Sequence, residues 1–232
     1  MEKDGPILKY RKLLPQHKFL YLLYSLLAFS ILNPILVNTK TEMYIFGILF
    51  TIVVFFSVLA IHRGKILIVT AIIIAAITIT CYWITRTAIL QKELQLVEYC
   101  LDILFFSIIT IIVLTNVIND KKVNLNTLCG AICGYLLIAL SLSFIYLLIF
   151  NLDANAFKYP PSNINDFQAE SQLFIYYSFT TQSTLGFGDI VPVSNIARTF
   201  SWLQAITGQI YLTVWIAQLV GLHIVGKNQQ RK

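Results

Sequence analysis

A chain of 232 residues with 57% hydrophobic and only 12% charged residues stands far from an ordinary soluble domain, in which about a quarter of the residues are charged. That balance excludes a water-soluble globular protein, and the length and continuity of the apolar runs exclude a closed membrane barrel, whose strands need only about 10 residues. The formal charge of +6 reads as membrane topology and contact with anionic lipid headgroups, and no nucleic-acid partner is expected.

Residues 1–18 form a basic leader, expected to be cytoplasmic. The first apolar run is long enough to span and lacks a clear small-residue cleavage site, so it is read as a retained span rather than a signal peptide. Six segments approach the roughly 20 apolar residues that cross a bilayer as a helix: 19–37, 43–61, 66–84, 100–118, 128–150 and 200–224. The expected fold is therefore all-α, with residues 19–127 as a peripheral four-helix membrane domain. Asn33-Pro34 is expected to kink the first span. The fourth span contains no Lys or Arg, and its one acid, Asp102, is placed at the outer end. The short link 119–127 is expected to hold the four helices on their own subunit's last two spans. Of the four cysteines, Cys129 and Cys133 sit with Gly130 and Gly134 on a small-residue face suited to close helix approach. Cys81 and Cys100 add no metal-ligand spacing.

Basic residues favour the cytoplasmic side. With the N-terminus inside, most of the seventeen Lys and Arg fall in cytoplasmic segments, while Glu42, Glu93, Glu98, Asp153, Asp166, Glu170 and Asp189 fall outside. Both termini are then cytoplasmic in a multi-pass plasma-membrane protein. The stretch Tyr176 to Pro192, YYSFTTQSTLGFGDIVP, opens outward between spans five and six.

That stretch is the candidate working part, because irregular glycine-rich backbone survives at membrane depth only inside protein or along a wet cavity. Ser162, Asn163 or Asn165 can cap a short helix whose apolar run, Leu173 to about Thr181, is too short to span. The carbonyl end of such a helix favours cations at the midplane. Gly186 and Gly188 then permit positive-φ backbone, so that successive carbonyls can face one axis. Such carbonyls must replace the water shell of an ion, whose bare transfer to low dielectric costs on the order of tens of kcal/mol. One strand cannot surround an ion and four can, so a homotetramer in contact with membrane lipid is the expected assembly.

Thr184-Leu185-Gly186-Phe187-Gly188-Asp189 resembles the filter of potassium channels, usually T-V-G-Y-G-D. The resemblance extends over residues 128–224 as a pore domain of outer helix, pore helix, filter and inner helix, followed by a short tail, 225–232. It implies that Thr184 offers its hydroxyl and carbonyl to potassium ions and that Leu185, Gly186, Phe187 and Gly188 complete the filter. It further implies that Asp189, Tyr176, Tyr177 and Thr180 support the filter, with Asp189 tied to an aromatic such as Tyr177. Thr180 stands where some members carry a bracing glutamate, and Gly208, with Gly221 as a second candidate, stands where inner helices can hinge. Potassium is the permeant ligand, and no cofactor and no enzymatic activity are expected.

A span without arginine cannot supply the three or four gating charges of a voltage sensor, and no large cytoplasmic domain is expected after the last span. The competing readings are a non-selective cation channel, differing only in filter geometry, and a secondary transporter. The transporter would call for two interrupted segments in related halves, where this chain has one. A membrane enzyme finds no support in His17, His62 and His223, which lie in separate segments.

Overall fold

The computed structural model describes residues 18–35, 42–61, 65–87, 91–120, 124–159 and 167–229. Residues 1–17, the candidate caps Ser162, Asn163 and Asn165, and His62 lie outside them. The described residues form helices α1 Lys18–Ile35, α2 Glu42–Ala60, α3 Lys65–Thr87, α4 Gln91–Ile118, α5 Leu125–Leu152, α6 Phe167–Gln182 and α7 Asn195–Gln229. A two-residue ribbon pairs β1 Phe157–Lys158 antiparallel to β2 Val191–Pro192. Lys18–Ile35, Leu67–Thr85, Leu94–Ile118 and Leu125–Leu152 are long and apolar enough to cross a membrane, and the apolar run of α2, Tyr44–Ala60, is shorter. The 35 residues of α7 extend about 50 Å at the helical rise.

The fourth helix starts earlier than its apolar run suggests. Lys92, Glu93 and Glu98 interrupt the hydropathy, but Gln, Lys, Glu and Leu are good helix formers, and α4 begins at Gln91. Glu98 is therefore helical rather than in a loop, and Asp102 follows one turn later on the same face. Both are only 1% exposed, so Asp102 packs inside the bundle. Thr85 Oγ1 on α3 sits 2.6 Å from Glu98 Oε2, which gives that carboxyl a buried polar partner.

Beneath this polar corner the bundle closes on aromatic rings. Phe29 meets Phe46 at 5.3 Å, Phe50 meets Tyr82 at 5.4 Å and Phe106 stacks on Phe144 at 5.5 Å between ring centroids. With Phe50 against Phe106 at 5.9 Å, these contacts tie α1, α2, α3, α4 and α5 together within the distances at which aromatic pairs attract.

Helix α5 is the column on which both halves rest. Asn124 caps it by accepting from Thr127 N at 2.8 Å. The neighbouring Asn126 Oδ1 accepts from Phe19 N at 3.1 Å, which satisfies an N-terminal donor of α1. A Cβ on Gly130 would stand 2.7 Å from Val117 and 2.9 Å from Phe19, and one on Gly134 would stand 2.6 Å from Leu114 and 2.8 Å from the Tyr211 hydroxyl. These glycines let α1, α4 and α7 approach α5 where no larger residue would fit. Cys133 joins the packing by donating Sγ–H to Phe19 O at 3.3 Å, and all four cysteines are free.

Pro34 stands in the last described turn of α1, inside the helix, where it withholds one backbone hydrogen bond from the preceding turn. The adjacent Asn33 is buried, and its backbone and side-chain oxygens lie 3.3 and 3.4 Å from Gln172 Nε2 of α6. A residue read only as a kink neighbour thus joins the peripheral helices to the short helix before the glycine-rich segment.

Candidate ion-conducting site

The site begins with how α6 stops. Thr184 N donates to Thr181 O at 3.0 Å and Leu185 N donates to Thr180 O at 2.9 Å, the paired bonds of a Schellman motif. That motif needs a left-handed residue one place beyond the cap, normally glycine. Here it is Thr184, at φ 59°. A β-branched residue there is an outlier, and such strain of about 1–3 kcal/mol persists only where the surroundings over-determine it. Three contacts do so: the bond to Thr181, a 2.7 Å bond from Thr184 Oγ1 to Ser183 O, and a 3.0 Å bond from Gln209 Nε2 of α7 to Thr184 Oγ1.

Beyond the cap the left-handed state recurs at every second residue, at Gly186 with φ 50° and Gly188 with φ 78°. Leu185 and Phe187 between them are not left-handed. Alternating handedness turns each peptide plane over, so successive carbonyls can share one side. Residues 183–189 are all exposed in the isolated subunit, and a Cβ on either glycine would meet nothing within 4 Å.

Behind this segment lies a buried polar network. Gln204 of α7, 1% exposed, accepts from the Tyr146 hydroxyl of α5 at 2.6 Å through Oε1. Its Nε2 donates toward Ser178 Oγ at 2.7 Å, Ser178 O at 3.0 Å and Gln182 Oε1 at 3.2 Å. Gln182 Nε2 in turn donates to Tyr135 O at 2.7 Å, and Ser178 Oγ to Ala139 O at 2.6 Å. Helices α5, α6 and α7 are thereby joined through one amide. Gln204→Leu leaves the Tyr146 hydroxyl and Gln182 Oε1 without this partner, at about 1–3 kcal/mol for each buried group. The expected result is a melting temperature lower by about 5 °C or more in detergent; an unchanged melting curve would remove Gln204 from the structural framework.

At the far end of the glycine-rich segment, Tyr176 Oη donates to Asp189 Oδ2 at 2.8 Å and its ring stacks parallel to Phe187 with centroids 6.4 Å apart. Tyr177 does not hold Asp189. It is buried, and its hydroxyl lies 2.6 Å from Ser201 Oγ of α7. Neighbouring residues on a helix point about 100° apart, so the rotation of α6 chooses between two adjacent tyrosines. The Thr180 hydroxyl turns back to Tyr176 O and Tyr177 O, both at 3.0 Å. Next to the ribbon, the chain leaving the glycine-rich segment is fastened: Val193 N donates to Ala156 O at 2.8 Å and Arg198 Nε to Pro192 O at 3.2 Å.

Among the described side chains of α7, the buried ones form a narrow stripe, Ala197, Ser201, Gln204, Gly208, Tyr211 and Trp215, against its own chain. A Cβ on Gly208 would stand 2.1 Å from Gln182 O, so this glycine permits α7 to touch the end of α6. Gly221 meets nothing within 4 Å and lies about 20 Å further along the helix. The spacing of Gln204 within the stripe was the one available signal of its role. Gln182 and Gln209 carried none, since their partners come from other helices.

Residues 140–222 match a family model described as ion channel. No curated protein and no solved structure matches the chain. The matched segment runs from the middle of α5 through α6, the glycine-rich segment and most of α7, and so contains the site described above apart from the Tyr135 and Ala139 carbonyls, which precede it. The match covers about a third of the chain and supports passive ion conduction as the activity of this segment, within a largely helical chain whose apolar helices suit a membrane.

Proposed function

We propose that four copies of this chain form a potassium-selective channel in the plasma membrane, with ions passing along the carbonyls of Thr184, Leu185, Gly186 and Phe187 toward an exit at Gly188. The observation that carries this reading is the alternation of left-handed φ at 184, 186 and 188, which favours a row of carbonyls on one side of the strand. Such a row replaces an ion's water shell when four strands surround the axis.

Assembly has support in α7. Its single buried stripe leaves Trp202, Leu203, Ile206, Ile210 and Val214 exposed, an apolar surface for neighbouring copies and lipid. Both termini are assigned to the cytoplasm by the basic-residue bias. The absence of Lys and Arg from residues 100–118 argues against gating by moving arginines. Control then falls to the filter and α7, and the chemistry needs no cofactor beyond the permeant ion.

Purified protein in liposomes tests the reading. Outward gradients of potassium and of sodium are expected to give fast passive potassium flux and little sodium flux. Equal fluxes would establish the non-selective alternative, and flux saturating as a slow coupled exchange would point to a transporter.

A further inference from the structure

Helix α7 reaches the filter segment through the bond from Gln209 Nε2 to Thr184 Oγ1 at 3.0 Å. A threonine hydroxyl has one proton and two lone pairs. The Thr184 hydroxyl lies 2.7 Å from Ser183 O, to which it donates, and it accepts from Gln209. One lone pair remains. With the hydroxyl proton committed to Ser183 and one side closed by the Gln209 amide, that lone pair is the only face the group can present to a cation.

The same amide also holds a residue that would otherwise relax. Thr184 occupies a left-handed conformation at φ 59°, a position where a Schellman cap ordinarily uses glycine. Its other restraints come from α6 and its own neighbour, Thr181 and Ser183. Gln209 is the restraint supplied by α7. It lies next to Gly208, the residue through which α7 rests against the last carbonyl of α6. A shift of α7 along or around that contact therefore moves the amide against the hydroxyl.

We propose that Gln209 is a positioning residue for the cytoplasmic mouth of the filter: it orients the Thr184 hydroxyl toward a cation and couples occupancy of that innermost site to the placement of α7. The inference rests on the filter reading above. It assigns selectivity among monovalent ions to the carbonyls further out and gives Gln209 control over how tightly an ion is held at the inner end.

Barium is the probe, since it is close to potassium in size and its double charge makes it dwell where oxygen ligands are densest. Single channels are recorded in planar bilayers with barium added on the side of the α7 C-terminus, for wild type, Gln209→Leu, Thr184→Val and the double variant. Gln209→Leu is expected to weaken barium block by about tenfold while the potassium-to-sodium permeability ratio stays at its wild-type value. Thr184→Val is expected to weaken block as well, and adding Gln209→Leu to it is expected to change nothing further, because the amide acts through the hydroxyl. Gln209→Met, unbranched and of similar length, serves if the leucine variant fails to assemble and is expected to behave the same way. Unchanged block in the Gln209 variants, or effects of the two substitutions that simply add, would overturn the proposal and leave the filter reading intact. A wild-type channel that passes sodium as well as potassium and ignores barium would overturn both.

Discussion

Gly186→Ala is expected to abolish potassium flux while the subunit keeps its fold. In the isolated subunit a methyl group at 186 meets nothing within 4 Å, so the substitution does not fail by collision within the chain. It fails through conformation. Residue 186 sits at φ 50°, and a side chain in the left-handed state costs about 1–2 kcal/mol, repeated in every subunit of the proposed tetramer. The inexpensive escape is a flip of the peptide to negative φ. That flip breaks the alternation from Thr184 to Gly188 and turns a carbonyl out of the row. The measurements are liposome flux and thermal melting of the same preparation: flux falls to the level of empty liposomes, and the melting curve stays close to wild type. Potassium flux at the wild-type rate would mean that the backbone at 186 does not line the path.

Gly208→Ala is expected to do the reverse and damage the framework, because there the obstacle is solid. The added methyl would stand 2.1 Å from the Gln182 carbonyl oxygen and 3.0 Å from its carbon. This is backbone at the last residue of α6, and it cannot swing aside as a flexible side chain would. Overpacking of this kind costs about 1–3 kcal/mol, and relief comes only by moving α7 or the cap that positions Thr184. A lower melting temperature and a reduced potassium flux should therefore appear together. Gly221→Ala supplies the comparison, since it meets nothing within 4 Å and replaces a poor helix former by the best one, worth up to about 1 kcal/mol. Its melting temperature should be unchanged or slightly raised. If Gly208→Ala left stability untouched and altered only open probability, the contact with α6 would be incidental and Gly208 would be a hinge.

The parts of the molecule that depend on local chemistry were readable from the residues. Long apolar runs located the helices to within a few residues except at the start of α4, where charged helix formers continue a helix that hydropathy alone cuts short. The TLGFGD run located the glycine-rich segment, and its two glycines anticipated two of the three left-handed positions. The third, Thr184, was hidden because no residue preference announces a threonine in a glycine's place. The side-chain network was hidden for a different reason. Whether Gln204 meets Tyr146 and Gln182, or Asn33 meets Gln172, depends on how three helices cross, and a single helix's pattern does not encode its neighbour's rotation. The Asp189 partner belongs to the same class: Tyr176 and Tyr177 are adjacent in sequence, and only the orientation of α6 separates them.

The glycine face of α5 bears on how separable the pore is from the rest of the chain. Gly130 is filled from outside by Val117 of α4 and Phe19 of α1, and Gly134 by Leu114 of α4 and Tyr211 of α7. Remove the first four helices and α5 is left with notches cut to the shape of departed side chains, which mobile acyl tails would fill less completely than fitted protein. Helices α5 to α7 are thus not a cassette to which the first four helices have been appended. Grafting them onto another helical bundle would require that the incoming helices carry their own equivalents of Phe19, Leu114 and Val117.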